Sequence, residues 1–414
     1  MRQVRPIEAS EIDIVQRILR DAFAGVPFPA VEPHREALLE QLEVEDNTVY
    51  GVYDDEQMVG TLRVHDFVMN VFGIQIPVKG LGGVAVGLCD KKNKVARDLV
   101  EWFHAHSHTA GCAMTSLYPF RASFYAKMGY GTGTPLHRYH LLPDSLPELR
   151  NAPAVRFLGP DDLALICECY ERVQRETHGM FGMDGRVVTA IKKPDSSARF
   201  VGVEIEGKLE AYMVFGFSEL GTENPLRPKL DIFRWIYTTT RGLHGLLAFL
   251  RKQGDQVDRI SLMTQDRHLH HLFEDPVDGS ENFFHISHQV NERALGVMYR
   301  LLDPERMFEQ LQAHSFGGVD LDLRVALTDD FWERTSRPFR LRIEAGRARV
   351  VKDKGSPEAE LRIGVGDFSS LVLGVLGLGR LLDYGRAHLD VDETRAHVER
   401  AFLTPEPPIC HTGF

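Results

Sequence analysis

Between Gly82 and Val100 the chain reads GGVAVGLCDKKNKVARDLV. The apolar run Val84-Ala85-Val86 has the character of a strand, and a polar turn with Lys91, Lys92 and Lys94 follows it. A helix is expected from about Val95, since Val95, Leu99, Val100 and Phe103 fall on one helical face. The first turn of a helix leaves N–H groups without partners and carries the positive end of the helix dipole. Strand, turn and helix start therefore form a place where an anion can sit, and three lysines add charge to it. Read alone, the same run is also a solvated basic turn.

A second segment, LYPFRASFYAKMGYG from Leu117 to Gly131, reads as a strand ending at Pro119, a short helix carrying Tyr125, and a turn at Gly129. Taken by itself, Tyr125 reads first as a half-buried core residue. Two histidine groups, His104-His106-His108 and His268-His270-His271, raise the question of a metal. Alternate residues of a helix cannot share one face, and the second group has no known ligand geometry, so no metal is expected.

The elements that must position these residues occur twice. VRPIEASEIDIVQRILRDAF starts at Val4 and VRFLGPDDLALICECYERVQ at Val155; each reads as a short strand, a capped turn and an amphipathic helix. GVYDDEQMVGTL starts at Gly51 and GVEIEGKLEAYM at Gly202; each reads as a hairpin. Both pairs are offset by 151 positions (155 − 4 and 202 − 51), which points to two copies of one fold. The first copy continues with strands turning at Gly73, the helix from Val95, the strand AMTSLYPF, the short helix of Tyr125 and HRYHLL as a last strand. The second has IFRWIYTTT, LHGLLAFLRKQG and RISLMTQ as strand, helix and strand. After about Tyr299 the helix LLDPERMFEQL and the strands VDLDLRVALTDD, PFRLRIEAG and RARVVKD suggest a third, α+β domain. The expected fold class is α/β with mixed sheets, divided at residues 1–150, 151–298 and 299–414.

The order of strand, basic turn, helix, strand and F-Y-x-K-x-G-Y resembles the GNAT acetyltransferases. Two tandem copies followed by a sterol-carrier-like α+β domain resemble the Eis-type (enhanced intracellular survival) N-acetyltransferases. That resemblance implies acetyl-CoA as co-substrate, with Val84, Ala85 and Val86 pairing by backbone with the pantetheine arm. Lys91, Lys92, Lys94, Val95, Ala96 and Arg97 would surround the diphosphate, and Phe120 and Arg121 would also touch the cofactor. Tyr125 would be the general acid and the α-carboxylate of Phe414 the general base. A homo-oligomer, a hexamer, is implied as well. One departure stands out: the family's turn has a glycine where this chain has Lys94. The second copy, TTTRGLHGLLAFL, lacks the basic cluster and reads as a structural repeat without cofactor binding.

The charge balance of 48 Lys and Arg against 59 Asp and Glu, net −11, argues against a nucleic-acid partner and favours a cationic substrate. The segment VEPHREALLEQLEVED carries Glu32, Glu36, Glu40, Glu43, Glu45 and Asp46 against Arg35 alone. Glu32 and Glu36 are the candidates for holding a small polycationic amine of the aminoglycoside or polyamine kind, although any one of these acids also reads as part of a solvated face. Five cysteines without a C-x-x-C give neither a disulfide framework nor a zinc finger, and a cytoplasmic setting is expected. The first residues lack the apolar core of a signal peptide, and LVLGVLGLGRLL is too short to cross a bilayer, so no membrane partner is expected. A rival reading makes the chain a lipid- or small-molecule-binding protein with vestigial GNAT copies.

Overall fold

Alternating apolar residues in the first third of the chain build a twisted sheet with helices on both faces. The computed structural model describes residues 2–44, 46–183, 185–192, 197–219, 226–278, 280, 282–353 and 355–414, the side chains of Arg186 and Val187 excepted. Glu45 of the acidic run lies outside the described residues. The chain divides into two compact units, one of Met1–Gly133, Val297–Pro408 and Phe414, the other of Thr134–Gly296 and Ile409–Gly413.

The first unit opens with β1 (Gln3–Pro6), α1 (Ile12–Ala22), α2 (Val31–Leu42), β2 (Asn47–Asp54), β3 (Gln57–Val71) and β4 (Ile74–Val86). Helix α3 (Val95–Thr109), β5 (Met114–Leu117), α4 (Ala122–Ala126) and β6 (Gly131–Thr132) follow. The sheet order is β1-β2-β3-β4-β5, then Met298–Leu301, then β6. Val15 and Ile18 of α1 bury against Val49, Tyr53 and Ala85, while Leu99, Val100 and Phe103 of α3 bury with Leu62, Val64 and Leu81 on the opposite face. Period two in the strands and the helical stripe in α1 and α3 thus sort the side chains to two cores.

The strand Met298–Leu301 joins β5 and β6, antiparallel to both. HRYHLL, expected as the last strand of the first copy, instead lies in the other unit as Leu136–Leu141, antiparallel to Arg259–Thr264. The alternation of HRYHLL specifies a strand with one buried face; it carries no information about which of two similar sheets supplies that face.

The second unit repeats the plan with strands Arg199–Ile205, Lys208–Ser218, Lys229–Tyr237 and Arg259–Thr264, and with helices Leu163–Glu176 and Thr240–Arg251. Within the first unit, residues beyond Pro304 form a separate sheet of Arg347–Val351, Phe339–Glu344, Leu321–Thr328, Ala359–Gly364 and Ala387–Leu389, in that order. Its buried face carries Leu323, Leu341, Ile343 and Leu361, and Phe368 of the helix Val365–Val372 is buried as well. The rings of Phe308, Phe316, Phe368 and Phe402 fill the adjoining space at centroid separations of 5.5 to 6.2 Å.

Candidate active site

Strands β4 and β5 pair in parallel only from Val78↔Met114 to Leu81↔Leu117. Beyond Leu81, β4 runs on to Val86 beside β3 alone, so its other edge from Gly82 to Val86 has no strand partner among the described residues. A bulge opposite Thr61–Arg63, with Gly83 at φ +56, turns this segment away from the ladder. The result is a fork with free N–H and C=O groups on one arm, able to pair with an extended chain such as a pantetheine amide. Val84 and Val86 pack toward the α3 side and Ala85 toward the α1 side.

The β4 arm leads through a short 3-10 turn, Leu88–Asp90, into Lys91-Lys92-Asn93-Lys94. Lys91, Lys92 and Lys94 are exposed and make no ion pair among the described residues. Lys92 has φ +69 and Lys94, the residue before α3, has φ +63. Lys94, where the resemblance puts a glycine, thus adopts a left-handed backbone, at a cost of order 1 kcal/mol. The first intrahelical bond is accepted by Lys94 from the N–H of Asp98 at 3.0 Å, which leaves the N–H groups of Val95, Ala96 and Arg97 at the helix start. The guanidinium of Arg97 lies over the Phe331 ring, 5.5 Å from its centre.

Tyr125 is 3 % exposed on α4, enclosed by Phe120, Phe124 and Tyr130 with ring centres 5.2 to 5.9 Å away. Its hydroxyl donates to no described residue. Burial, reinforced by Tyr130, pushes its pKa well above that of a free phenol, so it holds its proton throughout the neutral range. Helix α4 stops because Gly129 adopts φ +79; a Cβ there would lie 1.6 Å from the Arg300 guanidinium. Arg300 donates to the Met128 carbonyl and pairs with Asp329, both charged side chains being almost fully buried. The Tyr130 hydroxyl lies 3.1 Å from His104 Nε2 and 3.2 Å from Thr115 Oγ1. Phe120 is 65 % exposed, and Arg121 is exposed at the start of α4.

Phe414 belongs to the first unit and lies at the fork. Its ring centre is 5.1 Å from that of Phe67, 5.2 Å from Tyr118 and 5.6 Å from His65. A Cβ on Gly80 would come within 2.8 Å of this ring, and one on Gly82 within 3.5 Å of the carboxyl carbon. The ring therefore occupies room that only a glycine leaves, and the carboxylate stands over the first residue of the unpaired β4 arm. Sequence reasoning missed His65, Phe67, Gly80, Gly82 and Tyr118. The available signal was the period-two placement of His65 and Phe67 on β3 and of Gly80 and Gly82 on β4, His65 pairing with Gly80.

The residues before it, Ile409–Gly413, belong to the second unit. The Ile409 N–H donates to the His178 carbonyl at 2.8 Å, the Cys410 N–H to Gln265 Oε1, and the Thr412 hydroxyl lies 2.8 Å from that of Tyr170. Thr412 is completely buried. Glu32 and Glu36 are exposed on α2, and Glu32 lies 3.7 Å from Arg35. No hydrogen bond or ion pair joins either to Tyr125 or Phe414. The histidines of α3 part company as helical geometry requires: His104 is buried beside Tyr130, His106 stacks on Trp102 and His108 faces Asp303.

The acetyltransferase (GNAT) domain family matches residues 3–133, a second acetyltransferase (GNAT) domain family matches 181–301, and the sterol carrier protein domain matches 304–411. The chain is therefore an acetyl-CoA-dependent acyltransferase of the GNAT class. Its order of two GNAT domains and a sterol carrier domain is that of the Eis-type acetyltransferases. A GCN5-related N-acetyltransferase from Anabaena variabilis has the same fold over 100 % of both chains, with a TM-score of 0.83 at 16 % identity. Eis1 from Mycobacterium abscessus superposes over 100 % of both chains with a TM-score of 0.76, also at 16 % identity. A GCN5-related N-acetyltransferase from Kribbella flavida reaches 0.78 at 18 % identity over 100 % of this chain and 98 % of its own. No curated protein sequence matches. No helix among the described residues is long and apolar enough to cross a membrane.

Proposed function

We propose that the first GNAT domain transfers an acetyl group to an amine of a small polycationic acceptor, of the aminoglycoside kind, by direct attack in a ternary complex. Acetyl-CoA supplies the activated acetyl thioester. In this reading the unpaired edge of Val84–Val86 holds the pantetheine arm, and the lysine turn with the N–H groups of Val95, Ala96 and Arg97 holds the diphosphate. Phe120 and Arg121 border the same space. The Phe414 carboxylate takes the proton of the attacking amine as the nitrogen–carbon bond forms, and Tyr125 donates its proton to sulfur as the carbon–sulfur bond breaks. A free carboxylate is a weak base at an ordinary pKa of about 3.5, so the role calls for its burial or for action through a water.

The observation that carries the proposal is the seating of Phe414 over Gly80 and Gly82, at the fork whose β5 arm leads to Tyr125. A frayed terminus has no need of two glycines beneath it. The net charge of −11 supports a cationic acceptor. A hexamer and a cytoplasmic setting belong to the same reading.

Thiol release from acetyl-CoA is to be measured against aminoglycosides, polyamines and lysine peptides. Turnover with aminoglycosides above the other amines is expected; thiol release with none of them would sink the proposal. Adding several residues after Phe414 keeps the ring but turns its carboxylate into an amide. That protein is expected to lose most turnover with little change in thermal midpoint. Full activity in it would remove the carboxylate from the chemistry.

A further inference from the structure

A cavity of about 650 Å³ lies beside the start of the helix Pro304–Gln310, bounded by the turn Glu333–Thr335 and the ends of strands Phe339–Glu344 and Arg347–Val351. It is separate from the fork of β4 and β5, none of whose residues line it. Five cations line it. Three are engaged by carboxylates: Arg324 by Glu360, Arg340 by Asp322 and Asp353, and Lys352 by Glu305. The remaining carboxylate of the lining, Asp303, faces His108 at 3.2 Å and caps the helix. Arg334 and Arg337 make no hydrogen bond or ion pair among the described residues. Between them in sequence, Thr335 is 2 % exposed, and its hydroxyl is buried without a hydrogen-bond partner.

Buried hydroxyls are normally bonded, and leaving one unmade costs about 1–3 kcal/mol. Two unspent guanidinium groups and an orphaned donor in one cavity make an arrangement short of an anion. We propose that this cavity of the sterol carrier domain binds a phosphate monoester. Two free charges match a dianion, and three terminal oxygens match two guanidinium forks and one hydroxyl. Pro338, Phe339 and Val350 supply apolar surface for the organic part of the ester. The volume falls within the usual range for small-molecule sites, roughly 300–1,000 Å³.

Calorimetry on the full chain at low salt, with phenyl phosphate as probe, tests this. Saturable binding is expected, with inorganic phosphate and benzoate each at least about tenfold weaker, the first lacking the apolar part and the second one charge. Arg334→Gln with Arg337→Gln is expected to weaken phenyl phosphate by at least about tenfold, and Thr335→Val by about threefold. Both arginines are exposed, so thermal midpoints stay unchanged. Lys91→Ala with Lys92→Ala is expected to leave this binding intact, which separates the cavity from the diphosphate turn. The inference is overturned by an absence of saturation, by equal affinity for benzoate or inorganic phosphate, by unchanged binding in the arginine variant, or by loss of binding in the lysine variant.

Discussion

Tyr125 combines deep burial with a hydroxyl that no described residue claims, and both suit the proposed role of proton donor. Burial keeps the phenol protonated, so it can act as an acid at any pH near neutrality. Replacing Tyr125 by Phe is expected to lower turnover by about 10²-fold while leaving acetyl-CoA affinity nearly constant, measured as separate kcat and binding experiments. Equal turnover would exclude it. In the proposed reading the exposed Lys91 and Lys92 hold the diphosphate by charge, so changing both to Ala should weaken acetyl-CoA binding, and that deficit should shrink as salt screens the interaction. Calorimetry with equal affinities at low salt would make the turn a solvated surface. Lys94 is a different case. Its left-handed backbone was not legible from its residue type, because lysine does not advertise that conformation as glycine does.

The tail is an element in its own right, held at Ile409, Cys410 and Thr412 within the second unit before Phe414 joins the first. The sequence left its docking open, since Ile409, Cys410 and Phe414 are apolar enough to dock while Pro-rich tails are often disordered. Its seat was not legible, because Gly80 and Gly82 matter through what they lack. His411 gives the tail a pH dependence. Burial, aided by Arg234 and opposed by Asp266, pushes its pKa down to about 4 from an ordinary 6.5. Docking favours the neutral His411, so the docked tail is fully favoured above pH 6.5. It loses stability as the pH falls toward 4, because the released histidine takes up a proton first. Hydrogen exchange at Cys410–Gly413 should accelerate across that window, and His411→Gln should flatten the response. A profile identical in both proteins would separate His411 from tail docking. The repeated hairpins were legible for a simpler reason: each has a polar turn between two alternating runs, and local chemistry suffices to define it.

Scale matters most for the strand Met298–Leu301, where no local signal says which sheet it joins. Without it, β5 keeps β4 on one side alone and β6 loses the one strand partner it has among the described residues. Arg300 would be lost as well, and with it the guanidinium that donates to the Met128 carbonyl beside the Gly129 turn. A fragment of residues 1–150 is therefore expected to be unfolded or aggregated by circular dichroism and size-exclusion chromatography. A monomeric, cooperatively melting fragment would show that the inserted strand is dispensable.

That strand also sets a timetable for synthesis. When β5 leaves the ribosome, its partner lies far downstream, since Leu117 waits for Met298. At about 5–20 residues per second, the edge of β5 stays bare for on the order of ten to forty seconds while the whole second unit emerges. An unpaired edge is a template for the wrong partner, including a neighbouring nascent chain on the same messenger. Production of this protein should accordingly depend on chaperones that shield strands during translation, and codon choice between residues 134 and 296 should change its soluble yield without changing a single residue.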